Sequence, residues 1–366
     1  MTPLAKARRI VIKTGSALIA SGGEARHAWI ARLAADIDAL RKRGQEVILV
    51  TSGAIALGRT GLGDTRPRLL EEKQAAAALG QPLLMAALSA AFDPLGIRTA
   101  QALLTLEDTE RRRRWLNARA TLETLLAAGA LPIINENDTV ATDEIRYGDN
   151  DRLAARVAQM IGADCLILLS DVDGLYTGDP RKDGGATHIP SLDAITAEHD
   201  AMAGEANTGS GGMATKLAAA KIAYAAGCAT AITEGDRDHP VLAMENGART
   251  TWITPADTAE AARRVWLKGH LTPEGAISVD NGAVTALLKG SSLLPVGVTT
   301  VDGRFDRGAA VAINDPSGKL IAKGVSAYGS VDLEKIMGLQ TGDVERILGY
   351  KGRPAVIHRD DLVLET

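Results

Sequence analysis

The sequence has few of the residues that mark small secreted or nucleic-acid-binding proteins. Its 366 residues include two cysteines, Cys165 and Cys228, and neither has a second cysteine or a histidine at metal-ligand spacing. A disulfide scaffold and a cysteine-bound zinc site are therefore excluded, and we expect two buried thiols in a reducing compartment. Aromatic residues make up only 3% of the chain, which disfavours a surface on which nucleic-acid bases stack.

Neither the net charge nor the hydropathy of the sequence indicates a protein that coats nucleic acid or one that is anchored in a membrane. The 41 lysines and arginines nearly balance the 45 acidic residues, for a formal net charge of −4. The first residues show no targeting pattern, since Lys13 lies inside their apolar stretch, and we expect a cytoplasmic protein. Residues 75–92 are nearly uncharged, but they are mostly alanine and contain Gln81 and Pro82. We interpret them as a buried helix of a soluble domain and expect no membrane association.

From residue 9 to residue 233 the chain alternates β-branched segments with segments of helical periodicity. Strands are predicted at residues 9–13, 47–50, 99–104, 131–134, 166–169 and 230–233, and helices at 27–43, 108–128, 151–161 and 214–226. Strands that are apolar throughout and alternate with helices are typical of a parallel sheet covered on both faces. The predicted fold is α/β, with an open, mainly parallel sheet sandwiched by helices.

The pattern changes near residue 270 to short strands separated by turns. These strands are predicted at residues 276–279, 293–298, 311–313 and 320–322, with a turn at Asp280-Asn281-Gly282. Such spacing predicts a small β-barrel-like domain. We expect one domain over residues 1–255, a connecting helix or linker over 256–270, and a second domain over 271–366.

Polar residues follow the predicted strands, where parallel α/β sheets bind their ligands. The candidates at strand ends, or at the start of the next helix, are Lys13, Ser52, Asp138, Asn150, Asp151, Ser170 and Asp171. The acidic and amide residues among them, together with Asp149, could hold Mg²⁺, fix a substrate amine, or cap turns and helices. The six histidines are scattered, and the sequence shows no Ser-His-Asp or Cys-His arrangement.

A glycine-rich segment, residues 209–216, precedes a predicted helix. Its glycines would let the backbone approach a ligand, and a helix N-terminus attracts anions, phosphate above all. Lys216 in the first helical turn opposes the helix dipole, a cost that a bound phosphate would offset. The segment does not match G-x-x-x-x-G-K-[ST], and no G-x-G-x-x-G pattern follows the first predicted strand. It therefore predicts a phosphate site outside those two classes, with a surface loop as the alternative.

Six segments resemble, in order, the signature motifs of the amino acid kinase family. They are IVIKTGS, LVTSGAIALG, IINENDTV, YGDNDRLAA, LLSDVDGLYTGDPR and GSGGMATKLAAA. Ser210 and Ala214 stand where threonine and serine are common in that family. The resemblance implies the branch that uses ATP to phosphorylate the side-chain carboxylate of L-glutamate. The product would be L-glutamyl 5-phosphate, in the first step of proline biosynthesis.

The C-terminal region resembles a PUA domain. Two segments carry this resemblance, LTPEGAISVDNGAVTALLKGSSLLPVGVTTVDGRFDRG and IAKGVSAYGS, and Ala309 stands where aspartate is usual. Aspartate kinases of the family carry ACT domains instead, and acetylglutamate kinases usually end near the kinase domain. The tail therefore favours the glutamate branch.

The resemblance assigns a role to each candidate position. Lys13, Lys216 and Asp151 would be catalytic, with Asp151 organising the two lysines. Ser52, Asp138 and Asn150 would hold glutamate. ATP would be bound by Lys13, Ser170, Asp171, Ser210, Gly211, Gly212, Met213, Ala214, Thr215 and Lys216. Mg²⁺ would arrive with ATP and have no protein ligands of its own.

The resemblance also implies partners. Proline would be a feedback inhibitor, glutamyl-phosphate reductase a functional partner, and the assembly a homodimer or homotetramer, with the helix that carries Arg111–Arg114 as a candidate contact. Two alternatives stay open. One is a kinase for another small acid, such as N-acetylglutamate, aspartate or carbamate; the other is an RNA-binding protein that acts through its PUA domain. The net charge of −4 and the few aromatic residues oppose RNA binding as the main function.

Overall fold

The structure, a computed structural model, describes residues 2–63, 67–141, 149–182, 184–203, 212–256, 258 and 272–365. Contacts within the chain define two compact units. The first comprises residues 1–111 and 117–260, and the second comprises residues 112–116 and 261–366. The predicted limits of the two domains remain a prediction, and nearly all of the predicted connecting helix lies outside the described residues.

The first unit alternates strands and helices. Its strands are β1 (Arg9–Lys13), β2 (Ala20–Ser21), β3 (Glu24–Ala25), β4 (Glu46–Val50), β5 (Thr99–Leu104), β6 (Leu131–Glu136), β7 (Cys165–Ser170), β8 (Leu175–Tyr176), β9 (His188–Ile189), β10 (Ser191–Leu192), β11 (Ala229–Glu234) and β12 (Thr250–Ile253). Its helices are α1 (Pro3–Lys6), α2 (Ser16–Ile19), α3 (His27–Lys42), α4 (Ala54–Gly58), α5 (Leu70–Phe92), α6 (Leu106–Glu110), α7 (Arg112–Ala127), α8 (Asp149–Ile161), α9 (Ala197–Ala203), α10 (Met213–Ala225) and α11 (Leu242–Glu245). The first five residues of α7, 112–116, belong to the second unit.

Eight of these strands form one sheet, in the order β10-β12-β11-β7-β1-β4-β6-β5. The six strands from β11 to β5 in that order pair in parallel, and β12 runs antiparallel to β11. Every residue of β7 is buried, because helices cover both faces of the sheet and leave the strand no polar side. The predicted α/β fold with a mainly parallel sheet is confirmed.

The second unit is built around a five-stranded sheet. Its elements are β13 (Gly275–Val279), α12 (Asn281–Leu288), β14 (Val298–Asp302), β15 (Ala310–Asn314), β16 (Leu320–Val325), α13 (Ser330–Ile336), α14 (Val344–Leu348) and β17 (Leu362–Leu364). The strand order is β14-β13-β15-β16-β17. Ile277, Ile313 and Leu333 are fully buried between the sheet and the helices. The predicted small β-rich domain is confirmed.

Local sequence patterns misplaced three elements. The single helix predicted over residues 108–128 is two helices, α6 and α7, because the backbone of Arg111 is extended between them. The predicted turn at residues 280–282 is the start of α12, where the Asp280 carboxylate accepts a hydrogen bond from the Ala283 amide at 2.6 Å. The strand predicted over residues 293–298 is interrupted by a 3₁₀ turn at Pro295–Gly297.

The alanine-rich segment forms α5, but this helix is buried on one face only. Leu84 and Leu88 have no exposed surface and pack into the core of the first unit, whereas Leu79 and Leu83 are 47% and 52% exposed. By length and hydropathy this is the one helix among the described residues that could cross a membrane. Its buried face instead joins α3 and α4 in the folded unit.

Helices α4 and α5 cross at two glycines. A Cβ atom added to Gly80 would lie 1.7 Å from the backbone oxygen of Ala54, and one added to Gly58 would lie 1.9 Å from that of Ala76. Both obstructing atoms belong to helix backbone and cannot rotate away. The two glycines therefore allow the helices to touch, and they hold α5 against the start of α4.

We predict that Gly80→Ala destabilises the first unit by about 3 kcal/mol, since the added methyl forces the helices apart. Helix propensity alone would give the opposite sign, a gain of about 1 kcal/mol. Denaturant unfolding followed by circular dichroism measures the difference. Gly342→Ala is the control, because no heavy atom lies within 4 Å of its added Cβ. Equal unfolding midpoints for Gly80→Ala and the unsubstituted protein would contradict the close crossing.

Candidate active site

The carboxyl ends of the central strands bring most of the candidate residues together. Lys13 is the last residue of β1, Ser52 follows β4 by two residues, and Ser170 ends β7. Because these strands are parallel neighbours, their ends share one edge of the sheet. The first turns of α8 and α10 reach the same edge, and α8 packs against β1, β7 and α10.

Asp151 lies at the centre of this edge, in the first turn of α8. Its side chain has no exposed surface, and its two oxygens contact the ammonium groups of Lys13, at 2.5 Å, and Lys216, at 3.6 Å. The Thr215 hydroxyl donates a hydrogen bond to Asp151 Oδ2 at 2.9 Å. Both lysines are also buried. One carboxylate thus holds two cations from different elements, β1 and α10.

The charges of this triad shift the pKa values of its members. Burial alone would raise the pKa of Asp151, but the two ammonium groups and the Thr215 hydroxyl outweigh it and hold that pKa below its ordinary value. Burial lowers the pKa of Lys216, assisted by the charge of Lys13 and opposed by the carboxylate of Asp151. With two cations and one anion, the triad keeps a net positive charge that suits a polyanionic ligand.

The start of α10 supplies backbone donors beside the triad. Gly212 is the N-cap of this 13-residue helix, and the first amide groups of a helix have no partners within it. Met213, Ala214 and Thr215 form its first turn and are half-buried. Of the predicted phosphate segment, residues 209–211, which include Ser210 and Gly211, lie outside the described residues, so the structure places only residues 212–216.

Ser170 ends β7 and Asp171 follows it, near enough to Lys216 for its charge to lower the pKa of Asp171. Ser170 is buried, and its hydroxyl donates to Asp171 Oδ1 at 3.1 Å. Arg181 forms an ion pair with Asp171 at 2.8 Å. Burial raises the pKa of Asp171, but the hydrogen bonds from Arg181 and Ser170 outweigh it and leave that pKa lowered. Sequence reasoning did not single out Arg181.

A polar cluster lies on the β4–β6 side of the triad. The Asn150 amide nitrogen donates to Ser52 Oγ at 2.5 Å and to Asn135 Oδ1 at 3.3 Å. Asp138, two residues beyond β6, is buried with 8% of its surface exposed. Of the three residues predicted to hold a small substrate, Ser52 and Asn150 are thus in direct contact, and Asp138 is buried just beyond the neighbouring strand β6.

Two buried amides of this cluster were missed as site residues. Asn135 is 2% exposed, and its amide nitrogen donates to Gln81 Oε1 at 2.9 Å. The sequence held a signal for Gln81, since it is a lone amide within the apolar run of α5. It carried no information on which strand that amide faces.

The Asp and Asn positions do not form a metal-binding cluster in the part of the chain that the structure describes. No group of three or more His, Cys, Asp or Glu side chains there could hold a metal ion. Asp151 is occupied by two lysines and Asp171 by Arg181.

Comparison with known proteins identifies the families to which the two parts of the chain are similar. Residues 8–234 match the model of the amino acid kinase family, and residues 275–348 match that of the PUA domain. A carbamate kinase from Giardia lamblia, solved with AMP-PNP, has a similar fold, with a TM-score of 0.50 and 17% identity. The match covers 68% of this chain and 98% of that one.

Several curated relatives align over nearly their whole length. The glutamate 5-kinase of Paramagnetospirillum magneticum is 54% identical and covers 100% of both chains. The glutamate 5-kinase of Caulobacter vibrioides is 55% identical over 98% of this chain and 97% of its own. The chain therefore belongs to the amino acid kinase family, within its glutamate 5-kinase branch, and is an enzyme.

We predict that Asp151→Asn destabilises the first unit by roughly 3 kcal/mol or more, because two buried lysines lose their counter-ion. Asp200→Asn is the matched control, since it breaks a half-exposed ion pair between Asp200 and Lys221, another lysine of α10. That loss is expected to cost less than about 1 kcal/mol. Thermal and urea unfolding measure both. Equal effects of the two substitutions would show that the triad is not a buried charge centre.

Proposed function

We propose that the chain transfers the γ-phosphoryl group of ATP to the side-chain carboxylate of L-glutamate. The products are ADP and L-glutamyl 5-phosphate. The observation that carries the proposal is the Lys13–Asp151–Lys216 triad, which provides two buried cations at the start of a helix. The substrate follows from the full-length relatives, whose common name is glutamate 5-kinase.

The reaction needs no general base. The glutamate side chain has an ordinary pKa of about 4.3, so the attacking carboxylate is already ionised at neutral pH. A carboxylate oxygen forms a bond to the γ-phosphorus while the bond from phosphorus to the bridging oxygen of ADP breaks. This agrees with the site residues described, which offer cations and hydrogen-bond donors and no histidine.

The obstacle is repulsion between the carboxylate and the triphosphate, and the two lysines reduce it. One cation–anion contact at about 4 Å is worth roughly 4 kcal/mol at an effective dielectric constant of about 20. Asp151 fixes both ammonium groups before the substrates bind, so little reorganisation is needed as charge moves. Lys13, Lys216 and Asp151 are the proposed catalytic residues.

We assign the nucleotide to the side formed by β1, β7 and the start of α10. Lys13, Lys216 and the backbone of Gly212–Thr215 would contact the phosphates, and Ser170 and Asp171 the rest of the nucleotide. Ser210 and Gly211, outside the described residues, would complete the phosphate loop. Mg²⁺ would be held through the phosphates, where it supplies further positive charge.

We assign glutamate to the cluster of Ser52, Asp138 and Asn150. A substrate ammonium group needs a carboxylate or carbonyl acceptor, and its α-carboxylate needs donors. Asp138 and the Asn150 oxygen provide the first, and the Ser52 hydroxyl provides the second. Ser52 and Asp138 follow β4 and β6, next to β1 and β7 at the same edge of the sheet, so both substrates would bind at that edge.

The product and its context follow from the same proposal. An acyl phosphate is labile, so a reductase that consumes it quickly, glutamyl-phosphate reductase, would be the functional partner. Proline as feedback inhibitor, a cytoplasmic location and a homodimer or homotetramer rest on the resemblance to the family alone. RNA binding through the PUA domain would add to the kinase activity without replacing it.

We predict that Lys216→Met lowers kcat by about 10²–10³, because a preorganised cation is lost from the transferring phosphoryl group. Lys221→Met is the control, since Lys221 lies on the same helix and is half-exposed. In the unsubstituted protein, activity should fall as pH rises through the pKa of Lys216, which lies below its ordinary 10.5. Steady-state kinetics from neutral to alkaline pH measure both effects. A near-normal kcat in Lys216→Met would remove this lysine from the mechanism.

The substrate is tested by ADP release with Mg-ATP in the presence of hydroxylamine, which traps acyl phosphates as hydroxamates. L-Glutamate, N-acetyl-L-glutamate, L-aspartate and carbamate are compared, and hydroxamate is expected from glutamate alone. Turnover of another acid would be consistent with the proposed phosphate site but would contradict the assignment of glutamate as the substrate. No turnover with any acid, together with RNA binding by the full chain, would favour the PUA-based alternative.

A further inference from the structure

Three side-chain amides form a hydrogen-bonded relay behind Ser52. Gln81 Oε1, on α5, accepts from Asn135 Nδ2 at 2.9 Å, and Asn135 Oδ1, on β6, accepts from Asn150 Nδ2 at 3.3 Å. Asn150 Nδ2 also donates to Ser52 Oγ. The relay thus runs from a core helix, through a sheet strand, to the glutamate cluster.

One backbone group fixes the direction of the relay. The amide of Glu136 donates to Asn135 Oδ1 at 2.9 Å, and a backbone amide can only donate. Asn135 must therefore turn its nitrogen toward Gln81, which has to present its oxygen. For the same reason Asn150 must present its nitrogen to Asn135. The Glu136 amide thus orients Asn135, and Asn135 sets the orientation of both Gln81 and Asn150.

The relay leaves two buried polar atoms without a hydrogen-bond partner among the described residues, Asn150 Oδ1 and Gln81 Nε2. Since the nitrogen of Asn150 is engaged by Ser52 and Asn135, its oxygen is the atom of that amide left for a ligand. A buried acceptor without a partner is costly, and a ligand that donates a hydrogen bond removes the cost. An ammonium group is such a donor.

Stability does not account for Gln81. Its one hydrogen bond comes with an unmatched buried donor, so an apolar side chain of the same length would serve packing at least as well. Its position is also tightly set, because it follows Gly80, where α5 touches α4. A polar side chain kept at such a place is explained by what it orients.

We propose that Gln81 is a positioning residue for substrate binding. By accepting a hydrogen bond from Asn135 it anchors that side chain as a second contact beside the Glu136 amide. Asn135 then holds the Asn150 amide with its oxygen available to the substrate ammonium group, which makes the site selective for acids with a free α-amino group. This inference rests on the proposed function, since it concerns the same glutamate site. Gln81 itself is not assigned a contact with substrate.

The test compares Gln81→Met with Gln81→Glu, which keeps an oxygen facing Asn135, in the full-length protein. Gln81→Met should raise KM for glutamate about tenfold, the effect of one lost hydrogen bond that orders the site, with kcat and KM for ATP within about twofold. Gln81→Glu should restore most of the affinity. Inhibition by glutarate, which lacks the ammonium group, should be equal in the unsubstituted protein and Gln81→Met.

Ser89→Ala is the matched structural control, since it removes another side-chain hydrogen bond of α5, to Thr99 at 2.8 Å. Ser89→Ala should leave KM for glutamate and KM for ATP unchanged. The melting temperature of Gln81→Met should lie within about 3 °C of that of the unsubstituted protein. The relay is overturned if Gln81→Met leaves KM for glutamate unchanged, or weakens glutarate as much as glutamate. If the unsubstituted protein does not turn over glutamate, the proposed function is wrong, and the proposed role of Gln81 in glutamate binding is wrong as well.

Discussion

A carboxylate without solvent contact survives in this protein because two ammonium groups face it. Desolvation of Asp151 would cost several kcal/mol if it stood alone, and the same holds for Lys13 and Lys216. Each element of the active edge therefore depends on the others: β1 brings one lysine, α10 the second, and α8 the acid between them. A fold that moved any of the three by a few ångströms would leave a buried charge unpaired. The triad therefore also stabilises the fold, because it links β1, α8 and α10 at the edge of the sheet.

The parallel sheet brings the residues of the active edge close together. Because β1, β4, β6 and β7 end at one edge, four separate loops deliver polar side chains to a small region while the strands below stay apolar. The residues proposed to bind the nucleotide lie at the ends of β1 and β7 and at the start of α10, and Ser52 and Asp138, proposed to bind glutamate, follow β4 and β6. Hydrogen bonds among Ser52, Asn135, Asn150 and Gln81 fix the orientation of the side-chain amides at the proposed glutamate site.

Much of this was readable from the sequence. Apolar strands alternating with helices predicted the parallel sheet, and strand ends predicted Lys13, Ser52, Asp151 and Ser170, because chain direction and strand polarity are local properties. Partners across the fold were not readable. Nothing local shows that Gln81 faces Asn135, or that Arg181 pairs with Asp171, since both contacts depend on how distant elements pack. The break at Arg111 and the helix after Asp280 were missed because one backbone angle or one cap outweighed the periodic pattern.

The glycine crossing of α4 and α5 limits how sequences with this fold can diverge. Gly58 and Gly80 each occupy space that the other helix's backbone needs, so neither position accepts a side chain while the helices stay in place. Replacement of either glycine by any other residue would therefore displace α5. Such a displacement would also move Gln81, the residue of α5 that belongs to the amide relay. The exposed residues Leu79 and Leu83 of that helix can be replaced during evolution without a steric clash, whereas Gly80 cannot.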